Sequence, residues 1–157
     1  MAYLCLDLAT HTGWSVVENG EIKASGVKDF SKKRGESNGV MFMRFHKWLD
    51  DMVLLCGENS TCMVVYEQAH FRGGAATEIC VGLQTHTQSW CARRSIECAP
   101  VATMKLKKFA TGKGNAGKQE MIDAARKIIG RDPLDDNEAD AIHIGMWAVD
   151  QFGKYQL

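Results

Sequence analysis

Near its start the chain carries an apolar run that ends in an acid, Tyr3-Leu4-Cys5-Leu6-Asp7, followed at once by Leu8-Ala9-Thr10-His11-Thr12-Gly13-Trp14. An aspartate closing so apolar a strand is costly to bury unless something positive pairs with it. Two readings fit the stretch taken alone: the solvent-facing end of an alternating strand, or one corner of a site. The rest of the sequence has to decide between them.

The runs that follow define the sheet. Thr10 to Gly13 is a turn signal, and Glu18-Asn19-Gly20 is a second, Asn-Gly being the strongest short hairpin signal in a sequence. Three consecutive antiparallel strands are therefore predicted, at Ala2 to Leu8, Gly13 to Glu18 and Glu21 to Val27, followed by a basic loop from Ser31 to Asn38. Met41, Phe42, Phe45, Trp48, Leu49, Met52 and Leu55 recur at helical spacing, which predicts an amphipathic helix over Val40 to Cys56, stopped by Gly57-Glu58-Asn59. Thr61 to Glu67 is a β-rich run that again ends in an acid.

Beyond Gly73-Gly74, the small-residue segment Ala75 to Arg94 reads as a helix, and Ser95 to Ala99 as a short strand. Pro100 suits the first turn of a basic helix over Val101 to Phe109. A glycine-broken loop covers Thr111 to Gly117, and helices follow at Lys118 to Ile129 and Asp136 to Phe152. Three antiparallel strands, then two strands with helical crossovers, imply an α/β mixed five-stranded sheet flanked by helices. With 157 residues, one domain spanning 1–157 is expected.

Composition excludes several classes. Apolar content of 45% and charged content of 24% are those of a globular chain. No apolar run is long enough to cross a bilayer, and no basic segment precedes a long apolar one, so no membrane partner is expected and a cytoplasmic location is. Cys5, Cys56, Cys62, Cys80, Cys91 and Cys98 lack C-x-x-C spacing and read as small buried hydrophobes. Nineteen basic residues cancel nineteen acidic ones, so attraction to nucleic acid has to come from local clustering. Lys105, Lys107, Lys108, Lys113 and Lys118 supply such a cluster.

Two strands thus end in carboxylates, Asp7 and Glu67, and the last helix opens with Asp136 and Asp140. Residues four apart share a helix face, so both of these can point at one spot. If the first and fourth strands are neighbours, four acids converge at one end of the sheet. Like charges at close range raise one another's pKa values, and oxygen-only ligation suits Mg²⁺ or Mn²⁺, two ions being held about 4 Å apart around a phosphodiester. Singly, each acid has an ordinary explanation: Asp136 and Glu138 complement a helix dipole and Glu67 closes a strand. As a set they favour a metal site.

Asp7 with Thr12-Gly13-Trp14, the run Val65-Tyr66-Glu67-Gln68, the stretch from Lys107 to Lys118, and the closing Asn137-Glu138-Ala139-Asp140-Ala141 together resemble the RuvC family of Holliday junction resolvases. The motifs keep their order over nearly the whole chain. The resemblance implies an RNase H-like fold and a homodimeric, Mg²⁺- or Mn²⁺-dependent endonuclease that nicks opposing strands of four-way DNA junctions. The short turn after Asp7 suits a phage-type member, at work in a bacterial or phage-infected cytoplasm.

Carried over by position, the resemblance implies that Asp7, Glu67 and Asp140 are metal ligands. Many relatives place an acid or histidine three residues before the last aspartate, where this chain has Asn137; Asp136, one residue earlier on the same side of the helix, is the expected fourth ligand. His143 lies one turn beyond Asp140 on a similar face, where it either touches the site or, the commoner role, packs in the core. Lys107 and Lys118 match basic positions near the scissile phosphate and the junction backbone, with Lys118 counted in the catalytic set and Lys105, Lys108 and Lys113 adding to the phosphate contacts. Gly112 and Gly114 would let that loop approach DNA. Phe71, beside Arg72, sits where relatives carry an aromatic that wedges into the junction centre, the alternative being a loop residue tucked into the core. The helix from Ala75 to Trp90 corresponds to the region through which the family dimerises.

Overall fold

The computed structural model describes residues 1–57, 62–71 and 73–155. Thr61, expected to start a strand, Glu58 and Asn59, expected to stop a helix, and Arg72, expected to touch DNA, lie outside the described residues. The strands are β1 (Ala2–Asp7), β2 (His11–Glu18), β3 (Glu21–Asp29), β4 (Cys62–Glu67) and β5 (Glu97–Val101), and the helices α1 (Asn38–Leu54), α2 (Gly74–Arg93), α3 (Thr103–Thr111), α4 (Lys118–Ile129) and α5 (Asp136–Phe152). The five strands form one sheet in the order β3-β2-β1-β4-β5. The β1·β2 and β2·β3 pairs are antiparallel, and β4 lies parallel to both β1 and β5. This is the mixed five-stranded sheet that the sequence predicts.

Local chemistry accounts for the elements. Asn19 and Gly20 both take positive φ, 52° and 80°, which a tight β2–β3 turn with the right-handed twist of its strands requires. Ser37 caps α1, its hydroxyl accepting from the Val40 amide, and Asp135 caps α5 by accepting from the Glu138 amide at 2.9 Å. Both ends of α4 and α5 fall where the sequence puts them. Elsewhere the differences are a residue or two, β2 and β3 being longer than predicted and β1 stopping at Asp7 instead of Leu8.

Pro100 is the larger correction. It does not open a helix: it lies inside β5, opposite Tyr66 of β4, and α3 begins only at Thr103. A proline cannot donate to a ladder, but β5 is the outer strand of the sheet, where the missing N–H costs no cross-strand bond.

The period of two along β1 and β4 sorts their side chains onto two faces. Leu4, Leu6, Val64 and Tyr66 join a core with Phe45 and Leu49 of α1 and Leu83 and Trp90 of α2. Tyr3, Cys5, Met63 and Val65 join a second core with Leu106 of α3, Met121 of α4, and Ile144 and Ala148 of α5. Continued by two residues, the second series reaches Asp7 and Glu67. Both acids therefore fall on the face that α3, α4 and α5 cover.

The position of α5 is set by close approach to β2. A β-carbon on Gly13 would lie 1.9 Å from the Asn137 carbonyl oxygen, and one on Gly145 2.7 Å from Val17 Cγ2. Between these points Ser15 Oγ donates to the Ala141 carbonyl at 2.7 Å. The buried Glu138 adds an anchor, accepting from Ser25 Oγ of β3 at 2.8 Å and pairing with Arg131 at 2.5 Å. Gly13→Ala places a methyl group against backbone atoms that cannot rotate away, and it is expected to destabilise the fold by about 3 kcal/mol, read as a lower urea midpoint at unchanged slope.

Candidate metal centre

At one end of the sheet, Asp7 leaves β1, Glu67 leaves β4, and Asp140 projects from the second turn of α5. One carboxylate oxygen from each lies within 4.8 Å of the others. The parallel pairing of β1 with β4, which sets Leu6 opposite Tyr66, brings the first two acids side by side. The tight seat of α5 on β2 delivers the third. The acids line a cleft of about 430 Å³ together with Lys107, Lys118, Asp136 and Asn137.

The electrostatics are those of an anionic site short of cations. Burial pushes the Asp7 carboxyl well above the usual range, and the neighbouring Glu67, Asp140 and Asp136 charges push it further. Burial likewise raises Asp140, to about 7, with Glu67 and Asp136 adding to the rise and Lys107 opposing it. Glu138, near the start of α5, behaves oppositely. Burial of Glu138 is outweighed by bonds from Arg131, the Leu134 amide and Ser25, which hold its carboxyl below the usual value.

Asp136 lines the cleft but stands outside the trio, its Oδ2 lying 3.7 Å from Lys118 Nζ. Asn137 also lines the cleft, while its backbone carbonyl packs over Gly13. His143 is buried, its Nε2–H donating to the Met121 carbonyl at 2.8 Å, and burial lowers its pKa; it packs α5 on α4. Among the lysines, Lys107 and Lys118 border the cleft, whereas Lys105 and Lys108 are exposed beyond it and Lys113 faces Glu120 at 3.6 Å. Gly112 closes α3 with a φ of 84°. Phe71 is 78% exposed, which removes the reading of a core residue.

Two polar side chains at the site escaped the sequence reading. Thr103 Oγ1 donates to Glu67 Oε1 at 2.5 Å, and His70 Nε2 lies 2.5 Å from Thr103 Oγ1. Reading Pro100 as a helix start hid that Thr103 opens α3. The available signal was a hydroxyl residue just ahead of a basic helical run, the usual place for a residue at a helix entrance.

The donor set fits a hard divalent cation. Three carboxylates converge at half-buried positions, two have raised pKa values, and Lys107 is the cation that offsets Asp140. An ion ligated by oxygen relieves that repulsion.

The sequence matches no protein-family model, and no curated protein is similar to it. Solved structures are. Thermus thermophilus RuvC superposes with a TM-score of 0.75 at 20% identity, over 98% of this chain and 97% of that one. The same protein in complex with a Holliday junction substrate gives 0.75 over 93% and 91% at 20% identity. The yeast mitochondrial Holliday junction resolvase Ydc2 gives 0.59 at 14% identity, over 98% of this chain and 81% of that one. The chain has an RNase H-like fold. Within that class its strands and helices follow the arrangement of Thermus thermophilus RuvC.

A carboxyl with a raised folded-state pKa holds its proton more tightly in the folded protein than in the unfolded one. Metal-free protein therefore has the full benefit below the ordinary value of 3.8 and loses it as pH rises towards about 7. Asp140→Asn removes the ionisation, so thermal melts in a chelator should show a higher Tm than wild type at about pH 8 and little difference at about pH 4.

Proposed function

We propose that the protein is a metal-dependent endonuclease that resolves four-way and other branched DNA junctions, acting as a homodimer that makes paired nicks. The observation that carries this reading is the trio Asp7, Glu67 and Asp140 at the ends of β1 and β4 and on α5, in a cleft edged by Lys107 and Lys118, on a RuvC-type fold. Among the solved structures of that fold, one is a RuvC in complex with a Holliday junction substrate and another is a mitochondrial Holliday junction resolvase.

Asp7, Glu67 and Asp140 would hold Mg²⁺ or Mn²⁺, with Asp136 bordering the same space as a fourth carboxylate. When bound, a pair of such ions supplies a hydroxide nucleophile at neutral pH and stabilises charge on the departing oxygen. The chain's own part is position and charge. Lys107 and Lys118 line the cleft and would offset the phosphate's negative charge, Lys118 Nζ lying 3.7 Å from Asp136 Oδ2. Lys105, Lys108 and Lys113 extend the basic surface along the duplex arms. Phosphate contacts of this kind fix register without reading sequence. Phe71, exposed on the loop after Glu67, would insert between bases at the branch point, where an apolar side chain holds a distorted structure open. The small residues of α2 suit close approach of a second copy.

The decisive experiment incubates purified protein with labelled four-way, Y-shaped, flap and linear duplex DNA in Mg²⁺ or Mn²⁺. The four-way junction should be cut by symmetric nicks, and linear duplex should not. Asp7→Asn and Glu67→Gln should abolish cleavage while junction binding persists; cutting at the wild-type rate by both would mean that the acid trio is not the active site. Lys118→Ala should weaken binding to all junction sequences alike and reduce the slope of log K against log salt by about 0.9, measured by anisotropy across a salt series.

A further inference from the structure

The loop that follows Glu67 is held more firmly than a surface loop needs to be. The Gln68 amide donates to the Val101 carbonyl at 2.9 Å, and the Ala69 amide donates to Gln84 Oε1 of α2 at 2.8 Å. His70 Nε2 then meets Thr103 Oγ1 at 2.5 Å. Three successive residues are thus tied to three different elements, and the next residue is the exposed Phe71.

Thr103 is where this loop and the acid trio join. A threonine hydroxyl has one proton. Glu67 Oε1 can only accept, so Thr103 donates to it, and the hydroxyl oxygen is left to accept from His70. His70 therefore carries its proton on Nε2, and the hydrogen bonds run in one direction, from His70 through Thr103 to Glu67. Thr103 also opens α3, one turn ahead of Lys107 on the same helix face, and both border the cleft.

We propose that Thr103 is a positioning residue: its one hydroxyl holds a metal-binding carboxylate and the root of the Phe71 loop in a common frame, so that the exposed aromatic stands at a fixed offset from the metal centre. This rests on the nuclease reading above. Groups that orient a metal ligand from behind raise metal affinity by fixing the rotamer that binds. A side chain whose base is already ordered also gives up less freedom when it docks on a partner.

The test uses the full chain and two readouts, neither of them cleavage. Mn²⁺ binding by the protein alone is followed by the loss of the free-ion EPR signal. Insertion at the branch point is followed by fluorescence of 2-aminopurine at the centre of a synthetic four-way junction in EDTA, with Phe71→Ala as the reference for lost insertion. Thr103→Val, which keeps shape and removes the hydroxyl, should weaken Mn²⁺ binding by about 10-fold and reduce the fluorescence response, and Thr103→Ser should restore both. His70→Ala should keep the Mn²⁺ affinity and lose the fluorescence response. Wild-type behaviour of Thr103→Val in either readout overturns the proposal, as does a Thr103→Ser protein as impaired as the valine variant, which would assign the effect to packing. A wild-type protein that binds no Mn²⁺ overturns the nuclease reading itself, and the bridge with it.

Discussion

The structure depends on how closely α5 approaches β2. Helices usually pack on sheets through a layer of side chains, which keeps the two backbones apart. Here glycine at position 13, serine at 15 and glycine at 145 remove that layer along one line, so a helix carbonyl sits directly on the strand. Only at that range does the first turn of α5 overhang the end of β1. A bulkier residue on either side would lift the helix, and Asp140 would no longer reach the acids at the strand ends.

That contact is made without help from the acids, which repel one another. Burial and mutual charge raise Asp7 and Asp140, so the trio works against the fold in the absence of a cation. What holds α5 in place lies next door. Glu138, two residues before Asp140, is buried with bonds from Arg131, Leu134 and Ser25, and the Asp135 side chain caps the helix. One carboxylate is satisfied so that another, half a turn away, can be left wanting a partner. Strain of this kind at a cluster of ligands is the condition under which a metal ion binds with gain.

Much of this was legible in the sequence because it follows from short-range patterns. The acid at the end of an apolar run marked Asp7 and Glu67, and the period of four marked Asp136 and Asp140 as neighbours on a helix. The Asn19-Gly20 turn marked the β2–β3 hairpin. What the sequence hid depends on tertiary placement. Pro100 reads as a helix start because local rules favour it there, and only its position on the outer strand makes it tolerable in a sheet. That misplacement concealed Thr103. His70 carries no local signal at all, since its role exists only through a residue 33 positions away. The separation of Asp136 from the trio is likewise a matter of side-chain direction that helical periodicity does not resolve.

The chain order of the three acids has a consequence for how the molecule comes into being. Asp7 and Glu67 can meet once β4 has added to β1, but Asp140 belongs to α5, which follows all five strands in the chain. A chain that has built its sheet and its first two helices still lacks the third carboxylate. Any affinity for a cation that needs all three arises only when α5 is docked, so ion binding reports that docking and stabilises the state in which the three acids are together. A partly made or partly unfolded chain would then lack the complete trio, which exists only where segments far apart in the sequence have come together.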